Sequence, residues 1–504
     1  MRVVQDCSRV LLTLDSVDSV DLRNEIIQRY EDPSPFDDSR SPQSLALQWL
    51  LKDTVSLSEG NLTAKVLERY ASAVFYYSTD GPNWARDVQF LSELDTCSWN
   101  NGWRQGPDDE RQVYLGVYCQ NSPYVDMLRF DENGLIGTIP WELSLLSSLE
   151  YLNLGGNSLT GTLPTELAKL SALKLCSFSN NSLTATIPTE FGALTGLLRL
   201  TATSCKLVVS LPTELGQMTS MTSLNITGNM LSGSLPTELG ALTALAELEA
   251  SNNKLFGSLP TEIGRWNALT LLDVSNNSLN GTLPTNLGEW KSLVTFKASD
   301  NNFVGSLQTE FGQWTNLQVF SLDSNAMTGV LPTELGVWKS VKEFSASNNN
   351  FMGQLMTELG SLSVLESFAI AKNLLDGTLP TELGLLTSLT SLDMQSNALN
   401  GTLPTELGRL RALKYLNINT NSLSATLPTE LGRLNGLVTL DVGANDLTGT
   451  LPTQLSNLGA LTKFSFYQNN FTSSVDDVLC VDTKQWDVLE GDCIEMECTC
   501  CTNC

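Results

Sequence analysis

Histidine is missing from all 504 residues. That absence removes Ser-His-Asp and Cys-His catalysis, H-E-x-x-H metal sites and every imidazole ligand. Positive charge is scarce: 29 Lys and Arg stand against 55 Asp and Glu, a net charge of −26. So acidic a chain is a poor partner for nucleic acid or an anionic membrane surface. No apolar run approaches the ~18 residues that a membrane-spanning helix needs. Phosphate-cradling G-x-x-x-x-G-K-[ST] loops and kinase H-R-D or D-F-G triplets are also lacking. Carboxylate pairs alone could serve a glycosidase, but only at a fixed separation across a cleft. Neither an enzyme nor a cofactor is expected.

What the chain has in abundance is repetition. Prolines stand at 140, 164, 188, 212, 236, 260, 284, 332, 380, 404, 428 and 452, with Gln308 and Met356 in the same register, a step of 24 residues without insertion or deletion. A fixed period of this length marks an α/β solenoid in which each coil covers the apolar face of its neighbour. Within one unit, Leu149, Leu152 and Leu154 read L-x-x-L-x-L, and Asn157, Leu159, Gly161, Leu163 and Pro164 read N-x-L-x-G-x-L-P. The Leu152/Leu154 alternation predicts a short strand with one face inward. The Asn column, from Asn133 through Asn157 and Asn181 to Asn469, predicts inward amides bonding backbone groups at the bend after the strand. Cys205 occupies the one vacant slot and is expected to be a small buried substitute.

These motifs resemble the plant-type leucine-rich repeat, L-x-x-L-x-L-x-x-N-x-L-x-G-x-I-P, over roughly residues 124–472. The chain departs from that pattern in preferring Leu to Ile before the proline and in its uniform P-T-E-L-G. The resemblance implies a right-handed superhelix of 24-residue coils, with a parallel sheet on the concave face and short helical turns opposite. It also implies the functions of such proteins: ectodomains of receptor-like kinases and receptor-like proteins, or secreted polygalacturonase inhibitors.

Taken in order, residues 1–40 are acidic and polar and are expected to be a tail or linker. Residues 41–123 form the N-terminal cap. Ser41-Pro42 starts one helix, and a second over about Thr63–Tyr77 puts Val66, Tyr70, Val74 and Tyr77 on one stripe. Trp84, Cys97-Ser98-Trp99 and Gly116-Val117-Tyr118-Cys119 resemble the plant-type cap, which implies a Cys97–Cys119 disulfide. Residues 473–504 hold Cys480, Cys493, Cys498, Cys500, Cys501 and Cys504, an even set suited to a disulfide-stapled C-terminal cap with fifteen pairings open. A thiolate zinc site is the lesser alternative, since it needs reducing conditions and regular C-x-x-C pairs. Clustered cysteines and seven N-x-[ST] sequons, at Asn61, Asn180, Asn225, Asn276, Asn280, Asn400 and Asn470, point to an extracellular or cell-surface protein. The opening MRVVQDCSRVLL has no signal-peptide pattern, so a signal or anchor is expected to lie outside this chain.

Three columns carry a functional question. Trp266, Trp290, Trp314 and Trp338 stand one per repeat in a slot elsewhere held by Leu, and are read as core rather than as a sugar-stacking ladder. The Thr-Glu column after each proline places Glu in the first turn of a short helix, where the dipole favours it. Isolated carboxylates, one per coil, make no calcium cage. Thr pairs such as Thr160 and Thr162 suggest an ice-facing array, but Val208, Phe256, Val304, Val330, Met352 and Gln354 interrupt it.

The concave face is where the resemblance places ligands. The outward residues chosen there are Tyr151, Arg199, Glu249, Asp273, Lys297, Tyr415 and Tyr467, the charged and aromatic exceptions in mostly small polar columns. The expected function is non-enzymatic extracellular recognition of a protein, peptide or carbohydrate. The alternative is a structural or surface-active protein of a matrix or ice interface that uses the uniform Thr and Glu columns.

Overall fold

The computed structural model describes residues 21–59, 62–100, 115–472, 475–476, 478–480, 486–492 and 498–503. They fall into two compact units, Met1–Ser232 and Gly233–Cys504.

The first unit begins with a helical cap. Ser41 caps the helix Pro42–Leu50, its hydroxyl accepting from Ser44 N–H. Thr63 does the same at Val66 N–H for the helix Ala64–Ser78. A side-chain acceptor at this position satisfies an amide that the first helical turn leaves unpaired. The two helices bury Ala46, Leu47, Leu50, Val66, Tyr70, Ala73 and Val74 together, and Leu22 and Ile26 join the same cluster. Residues 21–27 are helical. The expectation of a tail or linker through residue 40 is therefore wrong from residue 21 onward. Leu22 and Ile26, one helical turn apart, give an otherwise polar stretch a narrow apolar stripe to bury.

The cap is locked by a buried ion pair. Arg69 Nε and Nη2 donate to Asp53 Oδ2 and Oδ1 at 2.7 and 2.8 Å. The guanidinium lies 4.6 Å from the Trp99 ring centre and 5.3 Å from that of Trp49. Burial alone would push the Asp53 carboxyl up, but the Arg69 and Ser56 hydrogen bonds hold it below its ordinary value. Nearby, the Cys97–Cys119 disulfide joins the cap to the first strand, with Cα atoms 5.3 Å apart.

From there the coils take over. Gly116–Tyr118 pairs antiparallel with Met127–Arg129, and every later rung of this ladder is parallel and in register through Tyr151–Asn153, Leu175–Ser177, Arg199–Thr201 and Ser223–Asn225. Each proline of the repeat is followed by a five-residue 3-10 turn, as at Thr165–Lys169 and Thr189–Ala193.

The second unit repeats this plan. Its long ladder runs parallel from Glu247–Glu249 through Leu271–Asp273, Thr295–Lys297 and onward to Thr439–Asp441, Lys463–Ser465 and Val488–Glu490. A second, shorter ladder forms at the Gly of each repeat, as in Ser278–Gly281 beside Asn302–Gly305. At Gly281 φ is +75°, a left-handed conformation in which a side chain is strained.

Three devices hold coil on coil. The Asn column behaves as its sequence predicts: Asn349 Nδ2 donates to Leu322 O, Ala346 O and Ser347 O at 2.9, 3.3 and 3.2 Å, and Met327 N–H donates to Asn349 Oδ1 at 3.0 Å. The Trp column is core. Trp266, Trp290, Trp314 and Trp338 are fully buried and stack at 6.0–6.3 Å between ring centres. Each indole N–H also reaches back to the preceding coil, donating to Leu239 O, Ile263 O, Leu287 O and Phe311 O at 2.8–2.9 Å. The third device is the Gly of P-T-E-L-G. A Cβ at Gly384 would stand 2.5 Å from the carbonyl oxygen of Glu406 in the next coil, too close for a side chain at that spacing.

At the C-terminal end Cys480 bonds Cys500 and Cys498 bonds Cys501. Cys493 and Cys504, like Cys7 in the opening segment, lie outside the described residues. The thiols of Cys480, Cys498 and Cys500 are close enough to hold a metal ion, but their pairing as disulfides leaves no thiolate to do so.

Candidate functional site

Along each rung of the long ladder the middle residue points into the core and its two neighbours point out, which is the two-residue period of a strand. Register then decides which outward side chains stand next to one another. In the second unit Asp393 pairs with Asn417, Asn417 with Asp441, Asp441 with Ser465, and Ser465 with Glu490. A carboxylate therefore recurs on every second rung, roughly 10 Å apart at ~4.8 Å per rung.

These carboxylates are organised. Asn419 Nδ2 donates to Asp441 Oδ2 at 2.8 Å, and Gly443 N–H donates to Asp441 Oδ1 at 3.1 Å. Gln395 N–H donates to Asp393 Oδ1 at 3.2 Å. Asn503 Nδ2 donates to Glu490 Oε1 at 2.8 Å. Burial pushes the Asp393 and Asp441 carboxyls above their ordinary value, more than the amide donors and, at Asp393, the Lys372 charge offset, and the charge of Asp441 adds to the effect at Asp393 as Glu490 does at Asp441. A carboxyl raised in this way is short of positive partners, and an incoming cation relieves it.

Two tyrosines flank the column. Tyr415 lies two residues toward the strand start, its hydroxyl accepting from Asn417 Nδ2 at 3.0 Å. Tyr467 lies on the other side, its ring over Gly443, where a Cβ would come within 2.6 Å of Tyr467 Cε1. That contact fixes the ring before any ligand arrives. Burial raises the pKa of both phenols, and the Asp441 charge raises each further, which puts both rings within the field of one carboxylate. Flat phenol faces beside partly desolvated carboxylates suit an alkylammonium or guanidinium group, by charge and by cation–π attraction.

The seven residues chosen from sequence thus fall into three groups. Tyr415 and Tyr467 meet around Asp441. Glu249, Asp273 and Lys297 are consecutive in one outward column, Lys297 exposed and Asp273 Oδ1 accepting from Ser275 N–H at 3.0 Å. Tyr151 and Arg199 belong to the first unit, in one column with Leu175 between them. Tyr151 there joins Asn153, whose Nδ2 also donates to Asp131 at 3.2 Å. The carboxylates at 393, 441 and 490 escaped the choice because alternation of Asp with Asn or Ser looks like ordinary polar surface. The signal was their recurrence at alternate periods.

No helix among the described residues is long and apolar enough to cross a membrane. No curated protein matches the chain. The family model described as Leucine Rich Repeat matches residues 148–170, 220–242, 268–290 and 388–410. Among solved structures, the plant peptide hormone receptor RGFR1 in complex with RGF2 is 30% identical with a TM-score of 0.67, covering 69% of this chain and 60% of the receptor. The ectodomain of the Arabidopsis receptor kinase HAESA, in complex with an IDA peptide hormone, is 29% identical with a TM-score of 0.68, covering 72% and 60%. This chain therefore spans about three fifths of the length of those two receptor chains. A leucine-rich repeat protein of Leptospira interrogans is 31% identical with a TM-score of 0.50, covering 68% of this chain and 90% of its own. Repeat motif, ladder register and these likenesses agree: the chain belongs to the leucine-rich repeat family.

Proposed function

We propose that this chain is a non-enzymatic, extracellular recognition module of receptor-like type that binds a peptide or protein through the outward face of its long ladder. The seat for a basic side chain of the ligand is the Asp393–Asp441–Glu490 column between Tyr415 and Tyr467. The observation that carries this reading is the recurrence of half-buried carboxylates on alternate rungs beside a tyrosine already laid against Gly443. Two similar structures are receptors in complex with peptide hormones, which supports a peptide as the ligand class. Disulfides at both ends support an oxidising compartment.

The surface-active alternative needs uniform exposed columns. Where Thr-x-Thr recurs, Phe256, Val330 and Met352 stand 53%, 56% and 45% exposed and break the array, so recognition is the better reading.

Peptide and glycan arrays probed with the disulfide-intact chain, at low and at physiological salt, test the proposal. The expected result is salt-resistant binding to peptides containing Lys or Arg. It should weaken about tenfold or more for Tyr415→Ala and for Tyr467→Ala, the loss of an interface hot spot. Binding confined to glycans, or unchanged by both substitutions, would refute it.

A further inference from the structure

Away from the ladder, the first unit holds a cleft of about 690 Å³ where the cap helix Pro42–Leu50 meets the 3-10 turns that follow Pro140 and Pro164. Its wall includes Gln43, Trp141, Glu142, Thr165 and Glu166. Glu142 begins the Glu column, yet its setting differs from that of every later member. The later glutamates are half-buried or exposed, whereas the cap leaves Glu142 with no exposed surface.

The hydrogen bonding of Glu142 is one-sided. Tyr30 Oη and Gln43 Nε2 donate to its Oε1 at 2.8 and 2.9 Å, and the Tyr30 hydroxyl is itself 2.7 Å from that of Tyr70. Among the described residues Oε2 has no hydrogen-bond partner. A buried carboxylate oxygen without a donor is costly, and such atoms are uncommon in folded proteins. Burial pushes the Glu142 carboxyl up; Gln43, Tyr30 and its own backbone N–H oppose this, while the Glu166 charge adds to it. Glu166, 24 residues on, shares the cleft, with Thr165 Oγ1 donating to its Oε2 at 3.2 Å.

We infer that this cleft binds an organic cation, an alkylammonium or guanidinium group, between Glu142 and Glu166. Its N–H donors supply the partner that Oε2 lacks, with Gln43 at the rim turning aside to admit them. Calcium would need six or more oxygens, whereas Oε2, the Glu166 carboxylate and the Thr165 hydroxyl match the three donors of one ammonium. Trp141, held edge-on by Tyr30 at 5.0 Å between ring centres, is the apolar wall for the ligand's carbon stem.

The test uses the full chain in an Asp441→Asn background, so that the ladder face does not contribute. Saturation-transfer NMR and thermal melts are run with n-butylammonium and ethylguanidinium, with n-butanol as the neutral control. Both cations are expected to bind with dissociation constants on the order of 1 mM and to raise Tm, while butanol does neither. Glu142→Gln should weaken the cations at least about tenfold, the loss of a charge-assisted contact. Glu166→Gln, at a half-exposed position that leaves the fold intact, should weaken them by a smaller factor and so carries the test if Glu142→Gln does not fold. Undiminished binding in both variants, binding of butanol equal to that of butylammonium, or no binding by the parent chain would each overturn the inference.

Discussion

Single residues decide how one coil locks to the next. Asn349 closes four hydrogen bonds with one amide, and its slot was legible because a side chain with both donors and an acceptor recurs every 24 residues. Cys205 shows what the slot tolerates: its Sγ reaches Phe178 O and Thr203 O at 3.4 and 3.5 Å, a weaker copy of the same pattern. The buried charges were not legible. Arg69 and Asp53 lie 16 positions apart, Tyr30 and Glu142 112 apart, and no local pattern announces that such pairs will meet.

Glu68 belongs to this hidden class and sets a pH dependence. It is 4% exposed and accepts from Val125 N–H at 3.2 Å. Burial raises its carboxyl from 4.5 to about 7; the Val125 bond and Lys65 oppose the rise, and Asp95 and Asp126 add to it. A raised value means that the folded state holds the proton more tightly than the unfolded chain. The stabilisation is complete below 4.5 and is lost as pH climbs through about 7. Chemical denaturation of wild type and Glu68→Gln at pH 4.5 and pH 8 should show the variant gaining about 2–3 kcal/mol on wild type across that interval. Parallel pH profiles would show that Glu68 titrates normally.

At the scale of elements, the 3-10 turn after each proline explains the uniformity of P-T-E-L-G. Pro sets the extended entry, Leu plugs the core, and Gly lets the next coil's carbonyl approach. This gives a paired expectation. Gly384→Ala would force a Cβ to 2.5 Å from a backbone oxygen and should cost about 2–3 kcal/mol, as overpacking against an unyielding neighbour does. Gly459→Ala meets nothing within 4 Å and should be neutral or stabilising by up to about 0.5 kcal/mol. Equal effects of the two in urea denaturation would mean that the coil spacing does not select glycine. The repeating elements were visible in the sequence because their period is strict. The helix over residues 21–27 was not, because its apolar content is three side chains, Leu22, Ile26 and Ile27, within a polar, acidic stretch whose composition resembles a linker.

At the scale of the molecule, the net charge is −26, and the carboxylate column concentrates part of that charge where two tyrosines hold it. The sequence singled out Tyr415 and Tyr467 as exceptions in a polar column, but not the acids between them, because register pairs residues 24 or 25 positions apart and Glu490 lies past the last repeat. Charge at the ladder face should steer a basic ligand, while the half-buried position of Asp441 should make its contact resist salt.

The most direct test is a double-mutant cycle on a peptide taken from the arrays. Its basic residue is replaced with Gln, the protein carries Asp441→Asn, and the four affinities are measured by calorimetry at physiological salt. A coupling energy of about 1–3 kcal/mol is expected, as for a charged pair in direct contact. Additive effects, within about 0.5 kcal/mol, would place the ligand's charge elsewhere and contradict the assignment of this face as the binding site.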